Sequence, residues 1–184
     1  MGRRWSSQGR GVAEHFGVEQ RADLRVGTFG KALGAAGGFV CGSASLIKWL
    51  ANRARTYVFS TAHPAAVSAA ALVALDIVAA DPSRRLALLA QAKTLRDRLD
   101  QLGWDTGQSV SQIIPLHVGT PRKAVQISQS LRHRGIWLPA IRPPAVPESE
   151  SLLRLGLTAM HSGEMLDSLC EALQEINDQS PNDQ

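Results

Sequence analysis

The chain has 184 residues, a formal net charge of +4 with neutral histidines, 44% hydrophobic residues and 5% aromatic residues. That length and apolar content suit a globular α/β-sized chain of one or two domains, and the few aromatics, with no basic cluster interleaved among them, argue against nucleic acid as a partner. No apolar run is long enough for a membrane span, because the longest, near residues 65–80, is interrupted by Ser68 and Asp76. Arginines near the N-terminus have no apolar core behind them and do not read as a signal peptide. Cys41 and Cys170 are too few for a disulfide framework or a zinc site, and no other metal-ligand spacing occurs, which points to a cytoplasmic chain without a metal.

Residues 1–20 are polar and glycine-bearing and predict a loop. Leu24 to Val26 predicts a short strand running into Thr28, and Gly38-Phe39-Val40-Cys41-Gly42 predicts a buried strand. Ser43 or Ser45 can cap a helix reaching about Ala54, and Tyr57 to Phe59 is β-rich, with Ser60-Thr61 closing it. Pro64 fits the first turn of a helix to about Ala80 that is apolar nearly all round, the pattern of an element covered on several sides. Asp81-Pro82-Ser83 breaks it, and a domain boundary is expected there, dividing 1–82 from 83–177, with 178–184 a tail. Leu88, Ala92, Leu95, Leu99 and Leu102 then recur at spacings of four and three, an amphipathic helix stopped by Gly103. Gln112 to Val118 predicts a strand, Thr120-Pro121 starts a helix ending at Gly135, and Ile136 to Pro139 predicts a short strand before the proline-rich loop of Arg142 to Pro147. Leu152 to Leu157 predicts a strand, and Ser162 caps a last helix with Leu166, Leu169, Cys170, Leu173 and Ile176 on its apolar side. Strands alternating with helices predict an α/β fold.

The chemistry concentrates in Val26 to Gly38, where Lys31 stands among five glycines with Thr28 three residues before it. Glycines allow positive φ and close approach of a phosphate-bearing ligand, and a lysine in such a setting is a candidate amine nucleophile. A glycine-rich turn with a solvated lysine is the alternative. It is not a Walker A loop, because Ala32 follows the lysine.

Thr28-Phe29-Gly30-Lys31 and the small-residue run to Gly37-Gly38 resemble the cofactor-lysine segment of the α-oxoamine synthases, pyridoxal-phosphate (PLP) enzymes of the aspartate-aminotransferase fold. Further matches in the family's order are Gln8-Gly9-Arg10-Gly11, Tyr57 to Thr61, Ile141-Arg142-Pro143-Pro144-Ala145-Val146-Pro147, and Arg154 to His161. The resemblance implies the C-terminal part of a fold-type-I PLP-binding large domain in 1–82 and a complete α/β small domain in 83–177. It implies that Lys31 bonds to the cofactor and then acts as the base on the substrate's Cα proton, and that Thr28 bonds the cofactor phosphate; a strand-end threonine bonding its own backbone is the alternative for Thr28. Ser60 and Thr61 would reach the phosphate of a neighbouring subunit, so the implied assembly is a homodimer with a shared site; capping the helix after Pro64 is their other reading. Arg154, flanked by Leu153 and Leu155, would be buried, need an anion and take the amino-acid carboxylate; a structural ion pair is the alternative. Arg142 would order the loop over the site or touch substrate. His161 reads as a hydrogen-bonded structural histidine, His15, His63, His117 and His133 as bystanders, and both cysteines as core thiols.

The proline loop most resembles the biotin-pathway branch, which joins L-alanine to a pimeloyl thioester of CoA or acyl-carrier protein with decarboxylation. A glycine C-acetyltransferase-like member is the alternative within the family, and a non-catalytic α/β interaction module the alternative outside it. Ala145 stands where this branch usually has threonine, so a hydroxyl contact to substrate is lost there. The family's cofactor-stacking histidine and its aspartate for the pyridinium nitrogen have no counterpart here, so a truncated or internally started chain, inactive alone, is expected.

Overall fold

A computed structural model describes residues 9–179. Gln8 of the first motif, the rest of residues 1–7, and 180–184 of the expected tail lie outside it. The chain divides into two compact units, 1–82 and 83–184.

In the first unit, the stretch expected to be loop holds one helical turn, α1 (Val12–His15), and a 3-10 turn at Glu19–Arg21. β1 (Leu24–Thr28) and β2 (Gly38–Gly42) form an antiparallel hairpin pairing Leu24 with Gly42, Val26 with Val40 and Thr28 with Gly38. Ser43 caps α2 (Ala44–Arg53), its Oγ accepting from the Leu46 N–H at 3.3 Å. The β-rich Tyr57 to Phe59 forms no strand. It lies in a single helical turn, α3 (Arg55–Val58) and its cap, where the Ala54 carbonyl accepts from both the Tyr57 and Val58 N–H groups at 2.9 Å. β propensity expresses itself only beside a partner strand, and this segment has none among the described residues. α4 (Ala65–Ala80) follows Pro64 as expected.

Burial in this unit departs from expectation. β2 is exposed along most of its length, Cys41 included, and α4 buries only Ala71. Leu72 is 64% exposed and Val73 57%. The hairpin and α4 carry the apolar residues of covered elements, yet no layer among the described residues lies over them.

The second unit is a two-layer α/β sandwich. β3 (Ile113–Gly119), β4 (Ala140–Ile141) and β5 (Ser151–Gly156) form an antiparallel sheet in the order β3-β5-β4. The expected strand at Ile136 to Pro139 does not form; pairing begins only at Ala140. Pro139 has no N–H to give the ladder, though its carbonyl accepts from the Arg154 N–H at 3.0 Å. α5 (Ser83–Gln101), α6 (Pro121–His133) and α7 (Gly163–Gln179) pack on one face. Alternate strand residues Ile114 and Leu116 of β3 and Leu153 and Leu155 of β5 point at Leu95 and Leu99 of α5, Ile127 and Leu131 of α6, and Leu169, Cys170 and Leu173 of α7. Thr120 Oγ1 caps α6 through the Lys123 N–H at 3.3 Å, and Ser162 Oγ accepts from the Met165 N–H at 3.3 Å at the start of α7. Gly103, at φ +82°, ends the α5 segment. Among the described residues no single helix is long and apolar enough to cross a membrane.

Candidate active site

Lys31 lies in the turn joining β1 to β2, and the turn is closed at its base. The Phe29 N–H donates to the Gly37 carbonyl at 3.0 Å and the Ala35 N–H to the Phe29 carbonyl at 3.0 Å. At the tip, the Gly34 N–H donates to the Lys31 carbonyl at 3.0 Å. Gly34 at φ +61° and Gly37 at φ +84° make the reversals that a side chain would disfavour. Lys31 itself is exposed and makes no ion pair among the described residues. An amine held by no carboxylate is free to bond to a ligand.

The Thr28 hydroxyl works within this turn. It donates to the Gly37 carbonyl at 3.2 Å and accepts from the Gly30 N–H at 3.2 Å. Its proton is therefore occupied, and a phosphate oxygen would have to draw it off Gly37. Ser60 and Thr61 are exposed, and their hydroxyls bond to no described residue. They do not cap α4: its N-cap is Pro64, and no side chain bonds to the first turn.

His63, set aside on sequence grounds, proves to be part of this neighbourhood. A Cβ built on Gly37 would stand 2.7 Å from His63 Nε2, so the imidazole lies against the Gly37 backbone. A contact between residues twenty-six positions apart leaves no mark in local spacing, which is why the sequence hid it.

In the second unit, Arg154 lies on the face of β5 away from the helices, opposite Pro115 of β3. It is exposed, which corrects the expectation of a buried guanidinium forced onto an anion. It makes no ion pair among the described residues, so the structural salt bridge is absent as well. Arg142 follows Ile141, which pairs with Leu152 two residues before Arg154, so Arg142 stands just past the end of β4. Arg142 is exposed without an ion pair, and its carbonyl accepts from the Ala145 N–H at 3.0 Å, turning the chain into the proline loop. Ala145 is exposed. The unpaired guanidinium of Arg154 suits a carboxylate, which an arginine fork can hold through two hydrogen bonds.

Around these positions the unit is held firmly. The Thr158 N–H donates to His161 Nδ1 at 2.9 Å, and the His161 carbonyl accepts from Gln91 Nε2 at 2.9 Å, fixing the segment after β5 against α5. Arg98 Nη1 donates to Asp167 Oδ1 at 2.7 Å, and that bond raises the Arg98 pKa. Burial pushes the Cys170 thiol up, with the Arg98 charge opposing. A cavity of about 630 Å³ lined by Trp104, Val118, Arg122, Lys123 and Ile176 contains none of Arg142, Ala145 or Arg154.

Comparison with known proteins gives this geometry its setting. The family model described as aminotransferase class I and II matches residues 5–173. The 8-amino-7-oxononanoate synthase of Anaeromyxobacter dehalogenans (strain 2CP-C) is 45% identical over 168 residues, an alignment covering 91% of this chain and 42% of that protein. Among solved structures, Sphingomonas wittichii serine palmitoyltransferase superposes with a TM-score of 0.90 at 30% identity, covering 96% of this chain and 45% of that one. A serine palmitoyltransferase variant from S. paucimobilis, with bound PLP–myriocin aldimine, gives 0.88 at 26% identity over the same shares. The chain therefore spans 42% of the length of this curated relative. Its α/β fold is that of the fold-type-I PLP-dependent enzymes, as the sequence motifs implied. With that model matched along almost its whole length, the chain belongs to the aminotransferase class I and II family.

Proposed function

We propose that this chain supplies the cofactor lysine and part of the substrate-binding surface of a PLP-dependent α-oxoamine synthase that condenses L-alanine with a pimeloyl thioester, of CoA or acyl-carrier protein, in cytoplasmic biotin synthesis. The observation that carries the reading is the unpaired Lys31 amine in a closed glycine turn based on the Thr28–Gly37 bonds. The residues fit PLP: an amine without a carboxylate partner for its aldehyde, and small residues with a hydroxyl beside them for its phosphate. When bound, PLP supplies an electrophilic carbon and an aromatic ring that withdraws electrons from the carbon beside the substrate amine.

The chain's own groups take the other parts. Lys31 Nζ holds and moves the proton, Thr28 meets the phosphate, and Ser60 and Thr61 offer two free hydroxyls for the phosphate in a partner subunit of a homodimer. Arg154 takes the amino-acid carboxylate, and Arg142 orients the loop that carries Ala145 toward the acyl chain. The biotin-pathway substrates are favoured by the 8-amino-7-oxononanoate synthase relative and by the loop from Ile141 to Pro147.

The test is chemical. The polypeptide is incubated with PLP, reduced with borohydride and digested, and mass spectrometry should find the label on Lys31. A label concentrated on Lys48, Lys93 or Lys123 sinks the assignment. The 184 residues alone are expected to bind PLP weakly and to give no appreciable turnover of alanine with pimeloyl-CoA. The family's aspartate for the pyridinium nitrogen has no counterpart in these residues, and groups of that kind carry factors of about 10² to 10³.

A further inference from the structure

His63 has no task in the reading above, yet it touches the site at a telling point. Gly37 closes the Lys31 turn, its carbonyl accepting from both the Phe29 N–H and the Thr28 hydroxyl. The His63 ring lies on that same residue, with Nε2 and Cε1 at 2.7 Å and 2.9 Å from where a Gly37 Cβ would be. Neither ring nitrogen bonds to a described residue, and the side chain is exposed. Burial and hydrogen bonding therefore do not account for its place; the contact of its Nε2–Cε1 edge with Gly37 does. His63 also stands two residues after Thr61 in the chain and precedes Pro64, whose fixed φ limits how the segment can move.

We infer that His63 is a positioning residue: its ring wedges against Gly37 and sets the turn of Lys31 and Thr28 against the segment of Ser60 and Thr61. The inference rests on the assignment of Lys31 as the cofactor lysine. It makes Gly37 and His63 a matched pair, because any side chain at 37 would expel the ring and any small residue at 63 would leave the turn unbraced. A wedge of this kind needs a flat ring and not its nitrogens.

The experiment labels the full 184-residue chain with PLP and, in parallel, with pyridoxal, which has the same aldehyde without the phosphate, each followed by borohydride. The readout is the PLP-to-pyridoxal ratio of label on Lys31. General loosening would lower both labels together, whereas misalignment of amine and phosphate contacts lowers the ratio. His63→Ala should reduce the ratio by about tenfold, and His63→Phe should keep most of it. An unchanged ratio in His63→Ala overturns the inference; so does a His63→Phe variant as impaired as the alanine one, which would assign the effect to the nitrogens. If the unsubstituted chain takes no label at Lys31, the lysine assignment itself fails. The wedge is then read from amide hydrogen exchange at Phe29, which His63→Ala should speed about tenfold while the α6 amides stay unchanged. Unaltered exchange at Phe29 would overturn it.

Discussion

The two units use similar elements and reach opposite states of burial. In residues 83–179 the apolar stripes of sheet and helices meet in one core: Leu95 and Leu99 of α5, Leu131 of α6, Leu173 of α7 and Leu153 of β5 are all but inaccessible. In residues 9–82, α4 is more uniformly apolar than any helix of the second unit, yet only Ala71 is buried. Apolar composition thus reports that an element is fit to be covered, while the cover itself is a property of which residues lie nearby. The proposed site divides along the same line. The proposed cofactor lysine stands in the unit whose described residues form no core, and Arg154, the proposed carboxylate ligand, stands on the back of a sheet that has one.

The largest expected effect tests this contrast directly. Leu153→Ala, at a side chain with no exposure, should destabilise the chain by about 2–5 kcal/mol in urea unfolding, the range for emptying a close-packed leucine site. Leu72→Ala on α4 should change the same transition by no more than about 0.5 kcal/mol. Equal losses at the two leucines would mean that α4 is covered in solution, and the contrast would collapse.

A second test acts on the uncovered face. Leu72→Lys with Val73→Lys should weaken self-association of the polypeptide about tenfold by sedimentation, since exposed apolar area drives association and tenfold corresponds to about 1.4 kcal/mol. If association is unaffected, the face of α4 bearing these two residues is not what the chain uses to associate.

A third, smaller effect compares one local device in both settings. Thr120 caps α6 and Ser43 caps α2 through bonds of the same length, 3.3 Å. Thr120→Ala should cost about 1 kcal/mol in global unfolding, because α6 packs on the core. Ser43→Ala should leave that transition nearly unmoved and instead speed amide exchange within α2, where local opening is not tied to the unfolding of a core.

Much of this was legible in the sequence, and what was not has a physical reason. Leu88 to Leu102 announced α5 through its four-and-three spacing, and Thr120, Pro121 and Ser162 marked helix starts, because these signals act within one or two turns of chain. The turn around Lys31 was foreseeable from its glycines. The strand expected at Tyr57 to Phe59 became a helical turn, since β propensity needs a neighbour to pair with, and Pro139 delayed β4 by withholding an N–H. Exposure at Arg154 and Cys41 and the contact of His63 with Gly37 depend on long-range placement, which periodicity does not encode.

The smallest effect separates the two cysteines, and with them the two units. Cys170 is buried in the core of the second unit, while Cys41 is exposed on β2. Burial raises the Cys170 pKa, and the carboxylates of Asp167 and Glu171 add to that, against the opposing charge of Arg98. A thiol whose folded-state pKa lies above its unfolded value favours the folded chain while it is protonated. Its contribution is therefore complete below the ordinary thiol range and is lost as pH rises through the folded value. Urea unfolding should accordingly show stability falling above about pH 8.5, with this one group adding at most about 1.4 kcal/mol per pH unit to the slope. Cys170→Ala should lower stability at every pH through the cavity it leaves, but flatten that alkaline slope, whereas Cys41→Ala should leave the slope as it was. A slope that survives Cys170→Ala unchanged would assign the alkaline loss to other groups, and a slope lost in Cys41→Ala would place a buried thiol in the unit whose described residues form no core.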